Sequence, residues 1–312
     1  MNIVPIVFAF DNNLILPACI CISSLMVNAK EDTFYDIYIL YSEKEILNKA
    51  ELTKISEYYK NCRLQYRTVG NEFDNAYEIR GITTPAYYRL LIPELIPEYE
   101  KVIYADADII FRMDLSQLYS IDLGNSYIAA TRDLGLNLND DGINYINSMP
   151  ELHLGDYIQS GIIMLNNKLI LQDGLVCQFK NVAKRRLKYQ DQDTLNIVCA
   201  ERICYLPLKY NMTDSSFFYA IKEREKLAHL FDNLEIEQAL REGNLHFNGH
   251  KPWKKYCVNF DIWWEYYRKS PVYDEKFYFD YFNKKINEFD QLSLFKRIKI
   301  LVRYFVYGRY KS

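Results

Sequence analysis

The 312-residue chain is 49% hydrophobic and 25% charged, which suffices to build a buried core and excludes an intrinsically disordered chain. Its 38 basic and 41 acidic residues leave a formal charge of −3, without the basic excess of a nucleic-acid binder. Seven scattered cysteines with no C-x-x-C pair point to buried free thiols instead of a disulfide framework or zinc cluster, and the absence of any G-x-G excludes the dinucleotide fingerprint.

In chain order, the apolar run Ile3 to Phe10 predicts a buried strand. It is too short to span a bilayer and has no basic residue before it, so the chain is expected to stay in the cytoplasm. Asp11, Asn12 and Asn13 form a polar turn suited to capping a helix over 15–29, with Pro17 near its start. A second strand is expected at 35–41. Ser42 and Glu45 have capping-box spacing, which predicts a helix through Tyr59, and 63–68 alternates as a third strand. This β-α-β-α-β order predicts an α/β fold with a mostly parallel sheet and helices on its faces.

After Thr84-Pro85 a helical stretch carries Tyr87, Tyr88 and Arg89. A strand over 101–105 then runs into Asp106-Ala107-Asp108, and further strands are expected at 127–130, 161–166 and 203–206. With no Pro/Gly/Ser-rich linker, residues 1–260 read as one domain and 261–312 as a helical tail. Beyond Asp290 there is no acid, while Lys296, Arg297, Lys299, Arg303, Arg309 and Lys311 alternate with Phe295, Ile298, Ile300, Leu301, Val302, Tyr304, Phe305, Val306 and Tyr307. Such a segment suits an interfacial helix on an anionic membrane; the alternative is a helix docked on the body with its lysines solvated.

Three constellations can carry chemistry. Asp106 and Asp108 at a strand's carboxyl end can share Mg²⁺ or Mn²⁺, at the edge of an open α/β sheet where ligands bind. In His246-Phe247-Asn248-Gly249-His250-Lys251-Pro252-Trp253 the imidazole can complete that site and tilts it toward Mn²⁺. Gly249 permits close backbone approach, and Lys251 can meet a phosphate. In Tyr189-Gln190-Asp191-Gln192-Asp193 an aspartate can cap a following helix, or the polar cluster can hold a substrate's hydroxyls.

These segments, with Phe8-Ala9-Phe10-Asp11-Asn12-Asn13, Ala86-Tyr87-Tyr88-Arg89-Leu90, Lys101 to Asp108 and Gln159-Ser160-Gly161-Ile162-Ile163-Met164-Leu165-Asn166, resemble glycosyltransferase family 8 over residues 3 to 255. The resemblance implies a GT-A fold, a UDP-glucose or UDP-galactose donor, a saccharide or glycolipid acceptor, and transfer with retention. It implies that Asp106, Asp108 and His246 ligate Mn²⁺, with Mg²⁺ as the alternative. Asp11 would face the uracil edge, with Asn13 near the nucleoside. Arg89 and Lys251 would address the diphosphate or donor sugar, with Gly249 in the same loop, and Gln159 would contact the donor sugar. Asp191 would hold its hydroxyls, Gln192 would lie on the reacting face, and Asp133 would stand on the acceptor side. Where relatives place a uracil-stacking tyrosine, this chain has Leu14. With the basic tail, the expected location is the cytoplasm, peripherally on the inner membrane surface. The competing reading is a non-catalytic UDP-sugar-binding scaffold. A sugar nucleotidyltransferase would need a glycine-rich basic loop where Asp11-Asn12-Asn13 stands.

Overall fold

Among the described residues nine strands organise the chain: β1 (Asn2–Ala9), β2 (Thr33–Ser42), β3 (Cys62–Val69), β4 (Val102–Ala105), β5 (Ile109–Ile110), β6 (Ile128–Arg132), β7 (Ile158–Leu165), β8 (Ile203–Tyr205) and β9 (Leu245–His246). The computed structural model describes residues 2–74, 76–78 and 84–307. Of the tail residues named above, Arg309 and Lys311 lie outside these, as do the side chains of Tyr304 and Tyr307. Seven strands form one sheet in the order β3-β2-β1-β4-β7-β6-β8, and β5 pairs with β9 as a separate ribbon. Within the large sheet β7 runs antiparallel to β4 and β6, and the other pairings are parallel.

The central strands are apolar because both sheet faces are covered, as parallel sheets require. Along β1, Val4, Ile6 and Phe8 enter one core cluster while Val7 and Ala9 enter the other, and every residue of β7 is buried. The helix Ile15–Val27 follows β1 after a short 3₁₀ turn capped by Asp11, whose carboxylate accepts from the Asn13 amide. It is buried almost all round, between the sheet and the later helix Phe260–Lys269.

The helix expected from Ser42 begins instead at Ala50 and ends at Tyr58. The Ser42–Glu45 capping box loses to a tertiary clamp. Glu45 Oε1 accepts from the Asn12 amide at 2.9 Å, Asn12 Nδ2 donates to Ile46 O at 3.0 Å, and the Asn48 amide donates to Asn12 Oδ1 at 2.8 Å. These bonds hold residues 43–49 as a loop beside the β1 end. The segment Thr84–Leu91 is 3₁₀ in character, with Arg89 Nε donating to Ala86 O at 2.8 Å.

After residue 260 the chain is helical. Trp263, Trp264 and Tyr267 join the main core, and the Trp264 ring lies 4.4 Å from Tyr281 and 5.1 Å from Phe282 on the helix Glu275–Asp290. The last helix, Leu294–Tyr307, exposes Leu294, Phe295, Ile298, Leu301, Val302 and Phe305, whose spacing places them along one side. Among the described residues no helix is long and apolar enough to cross a membrane.

Candidate active site

β4 leaves the sheet between β1 and β7, and its next residue is Asp106, whose amide donates to Gly161 O at 2.8 Å. The β5–β9 ribbon does the rest of the assembly. Its register pairs Ile109 with His246, and the Phe247 amide donates to Asp108 O at 3.1 Å. Residues 138 positions apart are thereby brought together: His246 Nε2 lies 3.3 Å from Asp108 Oδ1 and 3.5 Å from Asp106 Oδ2. One ligand atom from each of Asp106, Asp108 and His246 falls within 4.8 Å of the others.

Two carboxylates and an imidazole fit a divalent cation of the Mn²⁺ or Mg²⁺ class. An orphaned atom supports the fit. Asp108 Oδ1 is buried and has no hydrogen-bond partner among the described residues, a state that costs about 1–3 kcal/mol unless something accepts its lone pairs. Burial would raise the Asp108 pKa, but the Lys251 ammonium and the His246 ring outweigh it and hold this carboxyl below the ordinary range.

The triad opens on a cavity of about 680 Å³. Every site residue named from sequence lines it except one: Asp11, Asn13, Arg89, Asp106, Asp108, Gln159, Asp191, Gln192, His246 and Lys251 are all on its wall, and Gly249 is not. A Cβ on Gly249 would stand 2.4 Å from Asp214 Oδ2, so this glycine lets its loop pass against Asp214. Lys251 Nζ pairs with Asp108 Oδ2 and donates to Phe247 O at 2.6 Å.

Arg89, only 4% exposed, is the floor of the cavity. Its guanidinium donates to Asp106 Oδ1 at 2.8 Å and to Ser160 O at 2.6 Å, and its Nε lies 3.1 Å from Asp191 Oδ2. It therefore ties the metal-type carboxylate to the helix Gln190–Val198, which carries the polar trio. Burial pushes the Asp191 carboxyl up to about 6, with Arg89 pulling the other way and Asp106 adding to the rise. Gln192 is fixed at both ends of its amide: Oε1 accepts from the Ser160 amide at 3.1 Å, and Nε2 donates to Asp133 Oδ2 at 3.0 Å. Asp133 also lines the cavity, and burial raises its pKa against the hydrogen bonds it accepts. Asp193 is fully buried. It accepts from Tyr157 Oη at 2.6 Å, Tyr145 Oη at 2.5 Å and the Tyr189 amide at 2.7 Å. These bonds make it a structural anchor of the helix start.

Three contributors were not legible as site residues. Tyr104 donates to Asp106 Oδ1 at 2.8 Å and sits under the Arg89 guanidinium; as a strand residue it looks like core. Gly161 would place a Cβ 2.2 Å from His246 Cε1, so only glycine admits the imidazole there. Asn211 Oδ1 is 3.0 Å from His246 Nδ1, although no motif marks residues 208–212.

Comparison with known proteins gives one family. The profile described as glycosyl transferase family 8 matches residues 5–257. The chain is 24% identical to a lipopolysaccharide 1,2-glucosyltransferase of Escherichia coli K12, over 81% of this chain and 73% of that relative. A Haemophilus influenzae relative is 25% identical over 67% of this chain and 63% of its own length. The glycosyltransferase GlyE of Streptococcus pneumoniae is 24% identical over 66% of this chain and 46% of its own. In three dimensions the chain is similar to galactosyltransferase LgtC in complex with donor and acceptor sugar analogues, at a TM-score of 0.70 and 23% identity, covering 87% of this chain and 98% of that one.

Proposed function

The chain belongs to glycosyltransferase family 8 and has the GT-A fold; from that premise we propose that it is a retaining, metal-dependent hexosyltransferase that takes glucose or galactose from a UDP-sugar. The observation that carries this reading is the meeting of Asp106, Asp108 and His246 within 4.8 Å in the wall of a cavity that also holds Lys251, Asp191 and Gln192. In this reading residues 1–260 carry the chemistry, and the helical segment 261–312, which packs Trp263, Trp264 and Tyr267 into the core, carries the attachment through its last helix.

Asp106, Asp108 and His246 would hold Mn²⁺, with Mg²⁺ as the alternative. The ion supplies Lewis-acid charge neutralisation at the diphosphate. The chain's own residues do the remaining work. The Lys251 ammonium adds positive charge where the departing diphosphate gains negative charge. Asp11 and Asn13, at the β1 end of the cavity, address the nucleoside. Gln159 and Asp191 address the donor sugar, with Arg89 holding Asp191 in place through the 3.1 Å contact. Retention with a carboxylate nucleophile would follow the retaining glycosidases. Asp193 is sealed by two tyrosines, and Asp191 is engaged by Arg89 and, at 3.2 Å, by Ser160 Oγ. A front-face route fits better: the acceptor hydroxyl adds to the anomeric carbon as the bond to UDP breaks, and its proton passes to the departing phosphate oxygen. Gln192, its amide pinned, lies beside the oxocarbenium-like centre, and Asp133 faces the acceptor.

The exposed apolar side of Leu294–Tyr307, with Lys296, Arg297, Lys299 and Arg303 on the same helix, supports peripheral attachment to an anionic membrane surface, hence a saccharide or glycolipid acceptor met there.

The test is UDP release from UDP-glucose and from UDP-galactose with Mn²⁺. Slow hydrolysis without acceptor, abolished by EDTA, is expected with at least one donor. Donor binding without any turnover across an acceptor panel would favour the non-catalytic scaffold, and failure to bind either donor would overturn both. Mass spectrometry of the working enzyme should show no glycosyl adduct; an adduct on Asp191 would replace the front-face route with a covalent one.

A further inference from the structure

We infer that Asn211 is a positioning residue that dictates which ring nitrogen of His246 faces the carboxylate pair with a lone pair, through a hydrogen-bond relay that starts at the Gly161 backbone amide. Its consequence for metal binding rests on the function proposed above; the relay itself does not. A backbone N–H can only donate. The Gly161 amide meets Gln159 Oε1 at 2.6 Å, so the Gln159 atom at that position must be oxygen. The Asn211 carboxamide directs its Nδ2 at the same oxygen. Its NH₂ end is thereby committed, and Asn211 Oδ1 is the atom left to face His246 Nδ1, at 3.0 Å. Opposite an oxygen with no hydrogen to give, Nδ1 must carry the proton. In the neutral ring the lone pair then belongs to Nε2, the nitrogen that lies 3.3 Å from Asp108 and 3.5 Å from Asp106.

The backbone sets the relay in place. The Met212 amide donates to Asn244 O at 2.8 Å and the His246 amide to Met212 O at 2.9 Å, which aligns Asn211 with the imidazole. Asn211 is 1% exposed, so water does not compete for these bonds. Gly161 serves twice: its amide orients Gln159, and its missing Cβ leaves room for the ring, which a methyl would meet at 2.2 Å.

The experiment combines two readouts. Long-range ¹H–¹⁵N spectra of the metal-free wild type from pH 6 to 9 should show His246 Nδ1 protonated throughout; a pyridine-type Nδ1 at any pH in that range overturns the relay. Mn²⁺ affinity, followed by the free-ion resonance without donor, should fall about 10–100-fold in N211L. In N211D, which keeps the acceptor opposite Nδ1 but sets a second oxygen against Gln159 Oε1, it should fall less than in N211L. An N211L protein that folds and binds Mn²⁺ like the wild type also overturns the inference. If N211L does not fold, the wild-type spectra decide alone. If Nδ1 is protonated throughout and the wild type binds no Mn²⁺, the relay stands and the metal-dependent transferase reading fails.

Discussion

At the residue scale the site is a set of carboxylates kept apart in character by their surroundings. Asp108 is held acidic by Lys251 and His246 against its burial, Asp191 is pushed up to about 6 by burial, and Asp193 is closed off by tyrosines. The Asp191 value has a consequence for stability. A carboxyl whose folded pKa lies above its unfolded 3.8 gives its full stabilisation below that value and loses it as pH rises through about 6. That gap corresponds to roughly 3 kcal/mol. Urea unfolding of the metal-free wild type and D191N should show the difference shifting in the variant's favour between about pH 4 and 6.5; a difference that does not move with pH contradicts the assignment. Gly161→Ala should keep the fold and cost about 10–100-fold in Mn²⁺ affinity, because the new methyl drives the imidazole off its seat; unchanged affinity would mean that the ring can shift without leaving the carboxylates.

At the element scale, local sequence signals held where no distant partner competed. The strands ending at Ala105 and starting β1, the buried Ile15–Val27 helix and the Asp11 cap follow from apolar runs and capping residues next to them in sequence. The Ser42–Glu45 signal failed because Asn12, more than 30 residues away, takes Glu45 and Ile46 for itself. Asn211 gave no sign in the sequence, because its partner His246 is brought to it by the β5–β9 ribbon. Tyr104 and Gly161 lie inside segments that carry the resemblance, but their roles show only in three dimensions, where Tyr104 supports Asp106 beneath Arg89 and Gly161 leaves room for His246. The last helix makes a separate prediction. Removing residues 291–312 should release the protein from anionic vesicles, since each base near such a surface contributes about 1 kcal/mol, while donor hydrolysis continues. Vesicle binding that survives the deletion contradicts the interfacial role, and a truncated chain that unfolds shows the helix to be docked instead. Trp264→Ala should destabilise the whole chain by about 3–5 kcal/mol, because this ring joins the core to Tyr281 and Phe282.

For the whole molecule, the sheet and the ribbon have separate tasks. The sheet delivers the β1 and β4 ends to one edge, and the ribbon carries His246 and the Lys251 loop back over them. The claim at the centre is that this closure creates one cation site through which a diphosphate is gripped. Titration calorimetry of UDP, with and without Mn²⁺, on the wild type and H246A tests it most directly. Tight UDP binding is expected only with Mn²⁺ in the wild type, with loss of that metal-dependent gain, by at least tenfold in Kd, in H246A. Equal UDP affinity with Mn²⁺ and with EDTA in the wild type, or an undiminished Mn²⁺ effect in H246A, would contradict it.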